Sequence, residues 1–219
     1  MNVESQAAAE LTFKVRADGR GRAVHGRLAA LFLVSGVAAL IYQVCWQRLL
    51  FEDFGVDLDS VTIIVSTFML GLGIGALVGG ELADRYPDHA PTLFALTEVG
   101  IALFGLGSPW LIRVVAAATV QDSLAAIAVA NLLLLLVPTT LMGATLPILV
   151  RHVLRLYHNV GVSVGVLYFA NTLGAALGAA ATGLVVLYYV GLTATIYLAA
   201  ALNVLVSITV WLTLRGSRA

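Results

Sequence analysis

The chain has 219 residues, 60% hydrophobic and 11% charged, and its twelve basic and twelve acidic side chains cancel to a formal charge of zero. A mean hydropathy of +0.98 means more apolar surface than a soluble domain of this length can bury. The composition excludes a soluble globular domain and predicts an integral membrane protein; no nucleic-acid partner is expected.

Residues 1–27 form a polar N-terminal arm, expected to be cytoplasmic and either disordered or ordered by a partner. It is not a secretory signal. Its charges are mixed, and the apolar run that follows is a full span without a clear small-residue cleavage site. A membrane domain occupies 28–214. It divides into six apolar stretches at 28–50, 60–83, 92–114, 122–150, 162–188 and 192–214, each long enough for the ~20 residues that cross a bilayer as a helix. Residues 215–219 are a short tail.

The first stretch ends in the run LIYQVCWQRLLFEDF. Gln43 and Gln47 are four apart and share a face, and Gln43, the deeper one, is a cavity candidate. Trp46 suits an aromatic belt or a cavity wall, and Arg48 is one turn from Glu52, within reach of an ion pair. Cys45 is the one cysteine, which rules out an intramolecular disulfide and predicts an inert, buried side chain. Glu52, Asp53, Asp57 and Asp59 follow, with Asp122 near the next turn on that side. These acids are read as solvated helix ends; the alternative is a rim that concentrates cations.

In the second stretch Gly71, Gly75 and Gly79 recur every fourth residue, which puts a side-chain-free face against a neighbouring helix. They are not a phosphate loop, which requires a strand before it and a solvated helix start after it. The third stretch holds Glu98, about six residues in. A carboxyl there is costly without a partner, so either it is held protonated or a cation or hydrogen-bond donor meets it. The fourth reads VPTTLMGATLPILVR, and Pro138, Gly143 and Pro147 predict a broken helix, either a bend or the mark of a binding site. Thr139 and Thr140 lie in it at a depth similar to that of Glu98. The fifth repeats the glycine device with Gly174 and Gly178, and carries Tyr168 and Asn171 at comparable depth. A polar cavity of Gln43, Glu98, Thr139, Thr140, Tyr168 and Asn171 is one expectation; the other is that the Asn and Thr groups simply bond neighbouring helices. Asn203, in the sixth stretch, is expected to be a hydrogen-bonded packing residue. Histidines 25, 89, 152 and 158 show no ligand-like grouping, so neither a metal nor a cofactor is expected.

Basic residues fix an orientation. Lys14, Arg16, Arg20, Arg22, Arg27, Arg85, Arg151, Arg155, Arg215 and Arg218 fall on the side of the N-terminus, and only Arg48 and Arg113 on the other, accounting for all twelve. By the positive-inside rule both termini are cytoplasmic.

Five blocks resemble the membrane region of the fused spermidine-synthase-like, major-facilitator-like proteins of bacteria. They are ALIYQVCWQRLL (39–50), FMLGLGIGALVGGELADR (68–85), ALTEVGIALFGLGSP (95–109), VPTTLMGATLPILVR (137–151) and LYFANTLGAALGAAATG (167–183). The resemblance implies an all-α, six-helix bundle like one half of a major-facilitator fold, set in the bacterial inner membrane. It also implies that Asp84 and Arg85 match the start of a cytoplasmic latch motif, whose usual glycine and basic continuation is replaced by Tyr86-Pro87-Asp88-His89. Relatives carry an aminopropyltransferase-like domain after the membrane region. This chain ends at Ala219 without a strand, glycine loop and helix for a nucleoside cofactor, so synthase activity is not expected.

Two functions follow. The first is a non-catalytic membrane subunit or scaffold, docked through glycine-lined helices onto other membrane protein subunits. The second is a half-size transporter-like module for a small cationic, polyamine-like solute, working as a homo-oligomer or with a partner.

Overall fold

The protein was analysed as a computed structural model, which describes residues 3–54, 58–119, 123–156 and 160–215; side chains are described over 26–52, 61–119, 126–154 and 164–213 and at 123, 161 and 162. The elements are α1 (Val3–Phe54), α2 (Leu58–Arg85), α3 (Ala90–Thr119), α4 (Leu124–Leu156), α5 (Val160–Ala181), α6 (Leu187–Val190) and α7 (Leu192–Arg215). A 3-10 turn at Pro87–His89 leads into α3, and a π-helical turn at Thr182–Val186 joins α5 to α6. No strand occurs among the described residues. Hydrocarbon offers no partner to a free N–H or C=O, so such apolar segments close their hydrogen bonds internally as helices.

Six segments are long and apolar enough to cross a membrane: Gly26–Glu52, Val61–Arg85, Pro87–Thr119, Ala126–Leu154, Val164–Val190 and Leu192–Thr213. They match the six expected stretches in number and order. This is an all-helical, multi-pass membrane architecture. Asp57, Asp122, His158 and residues 216–219 lie outside the described residues, as do the side chains of His25, Asp53, Asp59 and Arg155.

Helix runs unbroken from Val3 into the first span for 52 residues. Ala7, Ala8, Ala9, Glu10 and Leu11 are all good helix formers. One expectation changes. The fourth span is not broken: α4 is continuous through Pro138 and Pro147. Hydroxyls beside the prolines bond carbonyls of the same helix, Thr139 Oγ1 to Leu135 O at 2.6 Å and Thr145 Oγ1 to Met142 O at 2.7 Å. The irregularity falls instead in the fifth span, at the π turn and at Gly191, whose φ of 81° favours glycine.

The helices pack as two three-span units. Helix α2 lies along α4 and α1 along α5; α3 packs on α4 and α1 on α7, while α3 and α7 meet each other. Exchanging the two units maps the first four of these contacts onto one another in pairs and the α3–α7 contact onto itself, and the correspondence extends to single residues. A Cβ on Gly75 would meet the Thr140 carbonyl, and one on Gly174 the Leu33 carbonyl. Gly79 is set against Ala144 as Gly178 is against Val37, and Gly143 meets the Leu72 backbone as Gly36 meets that of Asn171. The buried faces of α3 and α7 follow the same spacing. Phe94, Ala95, Glu98, Ile101, Ala102 and Gly105 run down one helix, and Ala199, Ala200, Asn203, Val206, Ser207 and Val210 down the other. That spacing sets Glu98 and Asn203 at equivalent places in the two units.

Two apolar cores fill the bundle. One gathers Tyr42, Trp46, Leu49, Phe68, Ile112 and Leu135; the other gathers Leu28, Phe32, Phe94, Ile148 and Val206. In the first, Tyr42 stacks on Trp46 with centroids 4.8 Å apart and Phe104 meets Trp46 edge-on at 5.4 Å, the offset and T-shaped geometries that ring quadrupoles favour.

Candidate functional site

Glu98 is completely buried. Its helix turns it toward α1 and α7, and one donor arrives from each. Ser35 Oγ of α1 donates to Glu98 Oε1 at 2.6 Å, and Asn203 Nδ2 of α7 donates to Glu98 Oε2 at 2.6 Å. One turn away, Ser207 Oγ donates to the Ala95 carbonyl at 2.9 Å, a second tie between α3 and α7. The carboxyl thus bridges three helices and joins the two three-span units at equivalent positions. Asn203 Oδ1 is buried without a hydrogen-bond partner, so the cluster keeps one unused acceptor beside the carboxyl.

About three turns further along the seam of α1 and α3 lies a second polar group of contacts. Trp46 Nε1 donates to Ser108 Oγ at 2.8 Å, and Ser108 Oγ donates to the Gly105 carbonyl at 2.8 Å. The Tyr42 ring fills the space that a Gly105 side chain would occupy, and its hydroxyl is buried without a partner. Trp46 therefore belongs to the core. The expected belt or cavity-wall role fails because its indole N–H finds a partner inside the bundle.

The six expected cavity residues separate. Glu98 and Thr139 are fully buried, but Thr139 bonds its own helix and faces Gly71. Thr140, Gln43 and Asn171 are half-buried, with no hydrogen bond among the described residues, and Tyr168 is 59% exposed on the outer face of α5. None of these five meets Glu98. Equal depth had grouped them, and depth carries no information on which way each helix is rotated. The partners that do meet Glu98 are Asn203, singled out as a bonded packing residue, and Ser35, which nothing marked out. One hydroxyl on an apolar face at helical spacing gives a sequence reader no distinctive signal.

The glycine faces are located as well. Gly71, Gly75 and Gly79 lie on Thr139, Thr140 with Gly143, and Ala144 of α4, while Gly174 and Gly178 lie on Leu33 and Val37 of α1. Asp84 pairs with Arg151 at the end of α4, Oδ1 to Nε 3.0 Å, and both side chains are well exposed. Arg85 stands 5.8 Å over the ring of Tyr86. Arg48 and Glu52 are both exposed and no ion pair joins them, as long charged side chains at a helix end reach water instead. Cys45 is buried and free. Among the described residues no cluster of His, Cys, Asp or Glu could hold a metal.

Compared with models of protein families, with curated proteins and with solved structures, the chain matches none.

Proposed function

We propose that the protein is a non-catalytic integral membrane subunit that docks onto other membrane protein through the outward face of α2. One observation carries this reading: α2 has a second, outward face that no described residue of the chain covers. Gly71, Gly75 and Gly79 are spent inside the chain on α4, whereas Ser66, Gly73 and Ala76 point outward beside Met69, 55% exposed, and Leu77, 77% exposed, and a Cβ on Gly73 would meet nothing within 4 Å. A side chain of a second helix can seat at Gly73 between those two large ones, and dispersion over that contact drives association in lipid. The bonded state of Glu98 supports the reading too, since a carboxyl closed by Ser35 and Asn203 holds helices together. The proposed setting is the bacterial inner membrane with both ends cytoplasmic, in a half-major-facilitator arrangement. The basic-residue asymmetry and the resemblance support that setting.

A second reading has its own observation. Gln43, Gln47 and Asn171 are half-buried amides inside candidate spans that make no hydrogen bond among the described residues, a costly state against hydrocarbon. A water-lined cavity completed by a second copy would satisfy them, as in a half-size transporter for a small cationic solute. Glu98 is engaged elsewhere, so amide oxygens would have to recognise the cation.

Purification of the chain from its native membrane in mild detergent tests the two readings. A stoichiometric membrane partner supports the subunit, a homodimer that binds a polyamine-like cation supports the transporter, and a lone monomer that binds nothing defeats both.

A further inference from the structure

Between α3 and α7, on the outside of the bundle, runs a groove of about 300 Å³. Ala95, Leu96 and Val99 form one wall and Ser207, Ile208 and Trp211 the other. Its length on α3, from Thr92 to Val99, is roughly 10 Å by helical rise. The groove lies within two segments able to cross a membrane, so the medium it opens to is hydrocarbon. The walls are almost wholly carbon. The Ser207 hydroxyl and the Ala95 carbonyl are already bonded to each other, so the polar side chain of Thr92 stands at one end of an otherwise apolar groove.

The geometry points to a binding site for a single phospholipid acyl chain, from the leaflet at the N-terminal end of α3 and the C-terminal end of α7. Methylenes gain dispersion contact on three sides there, against one side on a flat helix surface. The occupant also lies beside a structural joint. Ala95 is one turn before Glu98, Ser207 one turn after Asn203, and a seated chain packs against the same α3–α7 seam that the carboxyl bridges. A wholly polar ligand would face carbon along both walls, with the Thr92 hydroxyl at one end of the groove. A second protein would have to insert side chains between α3 and α7, away from the outward face of α2, so this inference stands apart from the docking proposal.

Trp211 provides the reporter, since it lines the groove and is 40% exposed, while Trp46 is fully buried. Trp110, at 69% exposure, is replaced by Phe. The full chain carrying Trp110→Phe is reconstituted in vesicles of phosphatidylcholine brominated along one acyl chain, and tryptophan quenching is read. Val99→Phe and Ile208→Phe each fill the groove from one wall and leave the outer edge of the indole open to annular lipid, whose share of the quenching is common to all three proteins. The expected result is strong quenching in the parent and a clear drop, short of complete loss, in each filling variant that keeps its helical circular dichroism. Quenching unchanged in both variants means that Trp211 sees only annular lipid, and overturns the site. Absence of quenching in the parent means that protein covers the groove, and overturns it equally.

Discussion

The seam between α2 and α4 and the seam between α3 and α7 hold the same bundle with opposite materials. The first is built from missing side chains: Gly71, Gly75 and Gly79 let the backbones of Thr140, Gly143 and Ala144 approach. No side-chain hydrogen bond crosses it among those described, apart from the exposed Asp84–Arg151 ion pair at its end. The second is tied by Asn203 on Glu98 and Ser207 on Ala95. The glycine seam recurs in the other unit as α1 on α5, whereas the carboxyl bridge occurs once, where the two units meet. The contrast teaches that close approach makes each unit and polar bonding joins the pair. A glycine seam should therefore fail by steric exclusion, and the polar seam by loss of partners.

The largest effect is expected at Gly75. A leucine there drives its Cβ into the Thr140 carbonyl and toward Gly143 Cα at 2.9 Å, and backbone cannot yield as a flexible side chain can. The loss should be about 3 kcal/mol or more, read as loss of folded protein after extraction. A Gly75→Leu protein as stable as its parent would show that the seam is looser than described.

Removal of Glu98 comes next. Glu98→Leu leaves Ser35 Oγ without its acceptor and the Asn203 amide buried and unbonded at both ends, a cost of about 1–3 kcal/mol. Glu98→Gln should cost much less. The glutamine oxygen keeps one donor, and rotation of the Asn203 amide presents its unused Oδ1 to the new N–H. Thermal unfolding in detergent should rank parent and Gln close together, with Leu well below. Equal stability of the Leu variant would remove the bridge from the account.

Smaller effects sharpen the contrast. Tyr42→Phe deletes a buried hydroxyl that has no partner, so stability should change by less than about 1 kcal/mol, in the stabilising direction if at all. A large loss would reveal a bond that the packing does not show. Asp84→Asn should do least of all. Its ion pair with Arg151 is exposed and worth about 0–1 kcal/mol, less at high salt.

Much of the fold was legible. Six apolar runs of spanning length announced six helices, because bilayer thickness sets segment length. The four-residue glycine spacing announced faces that meet another helix, because residues four apart share a side. The site was less legible. Glu98 was conspicuous as the carboxyl deep within a span, but its partners depended on the rotation of α1 and α7, and hydropathy is uniform enough around those helices to hide it. The prolines of α4 suggested a break, yet the helix runs through both of them. The π turn at Thr182–Val186 had only a threonine and a glycine to mark it. The glycine faces also concealed a distinction, since Gly71, Gly75 and Gly79 are consumed within the chain and the outward face of α2 begins where that pattern is broken, at Gly73.

Gly73 is the place to test the central claim, because it separates docking from folding on one helix. The measurement is the mass of the assembly extracted from native membranes, for the parent and for Gly73→Leu, with helical content recorded beside it. The account predicts a parent bound to a stoichiometric membrane partner, and a Gly73→Leu chain that stays helical and loses that partner. A parent that emerges as a lone monomer, or a Gly73→Leu chain that retains its full complement of partner, would contradict the proposal that this face docks the protein into a larger assembly.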